Sequence, residues 1–392
     1  MIRREHPLHS MSSYLGGFPP RTPRRIIEQW VPPRTTVLDP FCGSGTTLLE
    51  AKLLGRTTIG IDLNPLAVAL ARAKLVHVDV GDLIFRISDL ARGCRGETEI
   101  DDVPETLEPI FHRRTLAQLC YLRRQLSADT PEDTFLRGCV VGIMHGKARR
   151  DGTTAYLSVD MPNTFSMSPN YVRRFVDRNG LRAPPVDVFA KLRERCQWLL
   201  RAGPLPQSPM AHVFGGDAAQ LPDVLEESGI QTVGAIVTSP PYLGVLRYGA
   251  FNWIRLWFLG YDQYQIDDLL DGSDSLDRYL SFMASFLESA SRVVRPGGIV
   301  ALVIGDVIER GQHVPLADRV WEELAGVVPF EAVEITLDEY DQSSKTTRVW
   351  GGDRKGRATP LDRILILRRR STRRASRTPG IVAARRPTWQ ST

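Results

Sequence analysis

Thr36-Val-Leu-Asp-Pro-Phe-Cys-Gly-Ser-Gly-Thr-Thr-Leu-Leu-Glu-Ala51 reads as a short apolar strand, a glycine turn and the start of an apolar helix. Gly43 and Gly45 lack a Cβ, so the backbone there can approach a ligand closely. A helix starting at Thr46 or Thr47 directs its unpaired N–H groups at any polar or anionic group held in that turn. The next apolar run, Thr57-Thr-Ile-Gly-Ile-Asp-Leu-Asn64, ends in Asp62, about 20 residues past the first glycine, the spacing at which an acid meets ribose hydroxyls. Together these elements predict an α/β sheet that binds a nucleoside-containing cofactor. Thr46 and Thr47 follow Gly45, so the third glycine of a dinucleotide fingerprint is missing and a nicotinamide cofactor is the lesser reading.

Far downstream, the apolar run Gly234-Ala-Ile-Val237 leads through Thr238 into Ser239-Pro-Pro-Tyr242. Neither proline has a donor N–H and both fix φ, so the strand must stop there. The result is a rigid turn carrying a hydroxyl, backbone carbonyls and an aromatic ring at the carboxyl end of a strand, where open α/β sheets bind ligands.

Asp39-Pro-Phe-Cys-Gly-Ser-Gly-Thr-Thr47 followed by Thr238-Ser-Pro-Pro-Tyr242 resembles the AdoMet-dependent DNA amino-methyltransferases, which modify the exocyclic nitrogen of cytosine or adenine. The resemblance covers residues 12 to 80 and 212 to 310. It implies a doubly wound, Rossmann-like methyltransferase sheet interrupted by a largely helical inserted region, with S-adenosyl-L-methionine (AdoMet) as cofactor and duplex DNA as substrate. A cognate restriction endonuclease acting on the same site is a further partner it suggests. His212-Val-Phe-Gly-Gly-Asp-Ala218 then reads as a third strand ending in Asp217, and Arg295-Pro-Gly-Gly-Ile-Val-Ala-Leu-Val-Ile304 as a turn feeding a fifth. By resemblance, Asp39, Phe41, Gly43 and Gly45 cradle the methionine part of AdoMet, with Thr46 at the helix start; Asp62 takes the ribose and Asp217 the adenine amino group. The loop Tyr14-Leu-Gly-Gly-Phe18, before a helical Arg24 to Trp30, is similar to the family's segment beside the methionine end.

The resemblance also implies a mechanism. The lone pair of a base's exocyclic amine is delocalised into the ring, and acceptors for its hydrogens favour a more nucleophilic nitrogen. Ser239 and the Pro240 carbonyl are the expected acceptors, Pro241 stiffens the turn, and Tyr242 stacks on the extruded base. In the family, Ser before Pro-Pro-Tyr is commoner among N4-cytosine enzymes and Asp or Asn among N6-adenine enzymes, which points to cytosine and keeps adenine as the alternative. Cytosine C5 chemistry needs a thiolate, carried in its own family on Pro-Cys, and none of the five cysteines follows a proline. RNA or protein-glutamine methylation and a non-catalytic AdoMet- or DNA-binding module are the remaining rivals.

With 392 residues and 42% hydrophobic content, the chain has room for a catalytic domain and a recognition region. The expected division is 1–80 and 212–370 for the catalytic domain, 81–211 for a mostly helical target-recognition insert, and 371–392 for a basic, disordered tail. Helices are expected near Leu107 to Leu126, Asp133 to His145, Tyr171 to Arg178 and Val186 to Leu200, with Ser168-Pro169 as cap and first helical residue. Two late strands, Phe330 to Asp338 and Arg363 to Leu367, flank a basic connection. DNA contacts are expected from Arg149, Arg150, Arg173 and Arg174 in the insert, from Lys345 and Arg348 in that connection, and from Tyr248 after the proline turn. The net charge of +5 comes from arginines at 368 to 386, beyond the last acid, Asp362. Five cysteines without a C-x-x-C pair predict reduced thiols and no zinc site. With no 18-residue apolar run and no apolar leader, a soluble, cytoplasmic protein is expected.

Overall fold

The computed structural model describes residues 5–95, 99–100, 103–148, 153–161, 167–241, 248–270, 275–309, 312–339 and 358–371. Tyr242, Arg149, Arg150, Lys345, Arg348 and the basic tail from 372 onward lie outside the described residues. The chain divides into two compact units, one of Leu15–Val68, Ser208–Leu246 and Gly272–Thr392, the other of Met1–Tyr14, Ala69–Gln207 and Arg247–Asp271.

The first unit is built on an eight-stranded sheet. Its strands are β1 (Val37–Asp39), β2 (Thr58–Asp62), β3 (Ala211–Gly215), β4 (Val233–Thr238), β5 (Val294–Glu309), β6 (Gln312–Val314), β7 (Phe330–Glu339) and β8 (Ala358–Arg369). The order is β3-β2-β1-β4-β5-β8-β7, with β6 paired to β5. Strands β1 to β5 run parallel, while β8 lies antiparallel between β5 and β7. The chain steps outward from β1 to β3 and then returns to the other side of β1 as β4, which makes the β1/β4 junction the switch point where doubly wound sheets bind ligands.

Both faces of the sheet are covered, so its central strands read as continuous apolar runs. Alternate residues supply two cores. Leu38, Ile236 and Leu302 pack with Met283, Phe286 and Leu287 of the helix Leu276–Val293. Val37, Val237 and Ala301 pack with Ile26 and Ile27 of the helix Arg21–Trp30 and with Ala51 of the helix Thr46–Leu53.

The second unit is helical. Asp79, His112, Thr130, Ser168 and Asp187 cap the helices Val80–Gly93, Arg113–Gln125, Pro131–Ile143, Pro169–Arg178 and Val188–Leu199 with their side chains. The helix expected from Leu107 starts instead at Arg113, after a single turn at Glu105–Leu107. Pro109 offers no N–H to continue the helical bonds, and the His112 ring restarts the helix by accepting from the Arg114 N–H at 3.1 Å. The helix Val80–Gly93, with Leu83, Ile87 and Leu90 buried along one side, is an element the sequence reading did not include.

The aromatic stretch after the proline turn forms the helix Tyr248–Leu259, with Trp253, Trp257 and Phe258 buried. Arg255 lies among them at 1% exposure. Its guanidinium donates to the Val141 carbonyl (3.2 Å), the Ser13 carbonyl (3.3 Å) and Asn252 Oδ1 (3.0 Å). Burial pushes its pKa down to about 10.

Candidate active site

The parallel strands β3, β2, β1 and β4 end along one rim of the sheet and carry Asp217, Asp62, Asp39 and Ser239 at or just past their carboxyl ends. The sequence reading assigned all four to the site, and the strand order brings them together. The turn after β1 has Gly43 at φ 49° and Gly45 at φ 82°, left-handed values that favour glycine, and Gly45 leads directly into the helix at Thr46.

Asp62 closes this turn from the neighbouring strand. Its Oδ2 accepts from the Gly43 N–H at 2.7 Å and its Oδ1 from the Asn64 N–H at 2.9 Å. Burial raises its pKa to about 6 against the pull of these amides. Asp39, 2% exposed, accepts on Oδ1 from the Thr238 hydroxyl at 2.5 Å and from the Phe41 N–H at 3.2 Å. Burial again dominates, raising it to about 7, and the charge of Asp62 adds to the rise. Phe41 is half-buried and places its ring 5.1 Å from Phe286 and 5.6 Å from Phe282, so the residue is also a link to the core.

Asp217 is half-buried and accepts from the Ala219 N–H at 2.9 Å, capping a short helical turn. Phe18 is half-buried in the loop before Arg21–Trp30. Cys42 is buried, and a Cβ added at Gly60 would stand 3.1 Å from its sulfur, so it fills space beneath the turn. Pro240 is buried and Pro241 exposed. The Ser239 hydroxyl oxygen is itself buried, with no hydrogen-bond partner among the described residues. Thr238, wholly buried beside it, is a residue the sequence reading passed over. The available signal was a polar side chain closing an otherwise apolar strand.

AdoMet presents an ammonium group, two ribose hydroxyls and an adenine amine, all hydrogen-bond donors. A glycine turn open to close approach, flanked by three carboxylates on successive strands, fits that donor set. Asp62 retains lone-pair capacity for ribose after accepting from the backbone of Gly43, Asn64 and Leu63.

Within the helical unit, Arg173 and Arg174 are exposed on Pro169–Arg178 with no carboxylate at ion-pair distance among the described residues. Buried Val172 and Val176 anchor this helix, and the Trp253 indole N–H donates to the Met167 carbonyl at 2.8 Å just before it. Tyr171 and Phe175 stack along it with centroids 6.3 Å apart. Tyr248 is half-buried and stacks on Tyr14 at 5.9 Å.

All five cysteines are buried and none forms a disulfide. Among the described residues no group of three or more His, Cys, Asp or Glu is placed to hold a metal ion, and no helix is long and apolar enough to cross a membrane.

The family model N6_N4_Mtase, DNA methylase, matches residues 3–73. Type II methyltransferase M.BsoBI of Geobacillus stearothermophilus is 23% identical over 372 residues, covering 85% of this chain and 69% of that protein. Type II methyltransferase M.MvaI of Kocuria varians is 24% identical over 282 residues, 66% of this chain and 58% of that protein. A tRNA (guanine(10)-N2)-dimethyltransferase of Methanothermobacter thermautotrophicus is 33% identical over 91 residues, 23% of this chain and 27% of that protein. The chain therefore spans between about a quarter and about two thirds of the length of these relatives. These matches make the chain similar to the AdoMet-dependent DNA amino-methyltransferases. AdoMet is the cofactor this similarity implies.

Proposed function

We propose that this chain methylates the exocyclic N4 of cytosine in duplex DNA, acting on a base drawn out of the helix. The observation that carries this reading is the buried Ser239 hydroxyl, without a hydrogen-bond partner among the described residues, at the switch point beside the Asp39–Thr46 turn. A buried polar atom without a partner costs about 1–3 kcal/mol, and a bound amine would satisfy it. Bound AdoMet supplies the electrophilic methyl group. Asp39, the Gly43–Gly45 backbone, Thr46 and Phe18 would hold its methionine end, Asp62 its ribose and Asp217 its adenine amine.

Ser239 Oγ and the Pro240 carbonyl would accept the hydrogens of the target amine, leaving its lone pair on the side from which the methyl arrives. Pro241 keeps the turn from rearranging, and Tyr242 offers a ring to stack on the base. Positioning and preorganised dipoles suffice, with no strongly shifted general base. A neutral hydroxyl before Pro-Pro-Tyr favours cytosine over adenine. Arg149, Arg150, Arg173, Arg174, Lys345 and Arg348 would meet phosphates, and Tyr248 would serve the base pocket.

A second reading is supported by the name of the archaeal relative, whose acceptor is an exocyclic amine of tRNA guanine. Mass spectrometry of nucleosides from DNA and tRNA of cells expressing the full chain separates the possibilities. N4-methylcytosine in DNA is expected. N6-methyladenine alone would move the target to adenine, and N2-methylated guanosine in tRNA alone would overturn DNA as the substrate.

A further inference from the structure

The two halves of the site are almost 200 residues apart in sequence, yet one side-chain hydrogen bond joins them. The Thr238 hydroxyl on β4 donates to Asp39 Oδ1 on β1 at 2.5 Å, between side chains 0% and 2% exposed. The strands pair through Val37 with Ala235 and Leu38 with Ile236, so Thr238 stands one residue past the register position of Asp39, where the ladder ends. Beyond that point the chains diverge, β1 into the glycine turn and β4 into Ser239-Pro240. Backbone pairing no longer fixes one turn against the other, and the Thr238–Asp39 bond is the next constraint across the gap.

We propose that Thr238 is a positioning residue that sets the distance between the methyl-donor cradle and the amine-accepting turn through its bond to Asp39. The inference rests on the methyltransferase reading above. In-line transfer needs donor and acceptor held within a few tenths of an ångström, and a slip of about 1 Å can slow such a step by about a hundredfold. A β-branched residue suits the task, since its methyl restricts χ1 and keeps the hydroxyl aimed along one direction. Valine keeps that shape and loses the donor, whereas serine keeps the donor.

Four groups bear on the Asp39 carboxylate. Thr238 faces it from β4, the Thr47 side chain from the helix Thr46–Leu53, the Phe41 N–H from the turn, and the charged Asp62 from β2. Glu50 on the Thr46–Leu53 helix is bonded to Arg24 at 2.9 Å. The Thr238 hydroxyl favours the ionised form of Asp39, so removing it shifts Asp39 titration upward. Asp62 stands unchanged in every variant, and the difference between variants therefore reports Asp39.

The test compares wild-type full-length protein with Thr238→Val and Thr238→Ser, following AdoMet binding by calorimetry between pH 5.5 and 8.5, thermal unfolding and DNA methylation. Thr238→Val should fold, lose about tenfold or more in kcat with little change in KM for DNA, and show the acid limb of AdoMet affinity at higher pH. Thr238→Ser should stay within about threefold of wild type on each measure. Should Thr238→Val fail to fold, Thr238→Ala, which leaves space beside the carboxylate, is read by the same criteria. A folded valine or alanine variant with wild-type kcat and an unmoved acid limb would overturn the role. Absence of AdoMet binding by the wild type would overturn the methyltransferase reading itself, and this inference with it.

Discussion

Gly43 and Asp62 are joined by a 2.7 Å hydrogen bond from the Gly43 N–H to the Asp62 carboxylate, so the acid that ends β2 holds the turn that follows β1. A residue expected to serve ribose thus also shapes the cradle. Asp62→Asn replaces the Gly43 acceptor with a neutral one and should weaken AdoMet binding by about tenfold to a hundredfold, measured by calorimetry. Asp62→Ala, which also frees the amides of Gly43 and Asn64, should lower the melting temperature as well.

Ser239→Ala should separate stability from activity. The hydroxyl makes no hydrogen bond among the described residues, so the melting temperature should stay the same or rise slightly. Methyl transfer should fall by roughly tenfold to a hundredfold in kcat as an acceptor for the target amine is lost. Melting curves and single-turnover kinetics check both halves.

The buried acids give stability an inverted pH dependence. Asp39 and Asp62 are raised to about 7 and about 6, so the folded state binds protons more tightly than the unfolded chain. Their contribution to stability is full below about pH 4, the unfolded carboxylate value, and is lost as pH rises through 6 to 7. Asp39→Asn, which cannot ionise, should therefore stabilise the cofactor-free protein at pH 8, by up to roughly a few kcal/mol, and give no advantage near pH 4. Thermal unfolding of both proteins across that range is the check.

Arg173→Ala/Arg174→Ala should weaken DNA binding and lower the slope of log affinity against log salt by about 2, since about 0.9 of a counterion is released per neutralised phosphate. Fluorescence anisotropy at several salt concentrations measures the slope. AdoMet affinity should not change.

Arg255→Met should destabilise the protein by about 2–4 kcal/mol by leaving the carbonyls of Val141 and Ser13 and the Asn252 amide oxygen without their donor. A denaturant titration followed by circular dichroism would show it as a lower midpoint.

Much of the sheet was legible because its strands are apolar runs ended by chemistry that cannot continue them: Asp39-Pro40 after β1, Asp62 on β2, Ser239-Pro240 after β4. The Ser168-Pro169 cap was legible for the same local reason, and Ser168 accepts from the Tyr171 N–H at 3.4 Å. Less accessible was whatever depends on tertiary partners. Helix Val80–Gly93 carries Leu83, Ile87 and Leu90 at helical spacing, but Gly81 and the exposed Phe85 blur that face in the sequence, and the bond of Arg86 to Asp133 at 2.8 Å is a tertiary contact. Thr238 stands in the Thr238–Tyr242 motif with no role assigned to it there, and its partner Asp39 is a neighbour only through strand order. The buried Arg255 carries no signal in the sequence, because the carbonyls it serves come from two distant segments.

Strands β2 and β3 pair in register from Thr58 with Ala211 to Asp62 with Gly215, although nearly 150 residues separate them. The long excursion between them begins and ends at a fixed place, and the closure entropy of such a segment grows only with the logarithm of its length, about 0.6 kcal/mol for each doubling. Insertion, loss or exchange of material there bears lightly on the sheet that holds Asp39 and Ser239. On the proposal that this interval reads DNA, a gene acquires a new target sequence by rewriting one interval while the rim of Asp39 and Ser239 stays as it is.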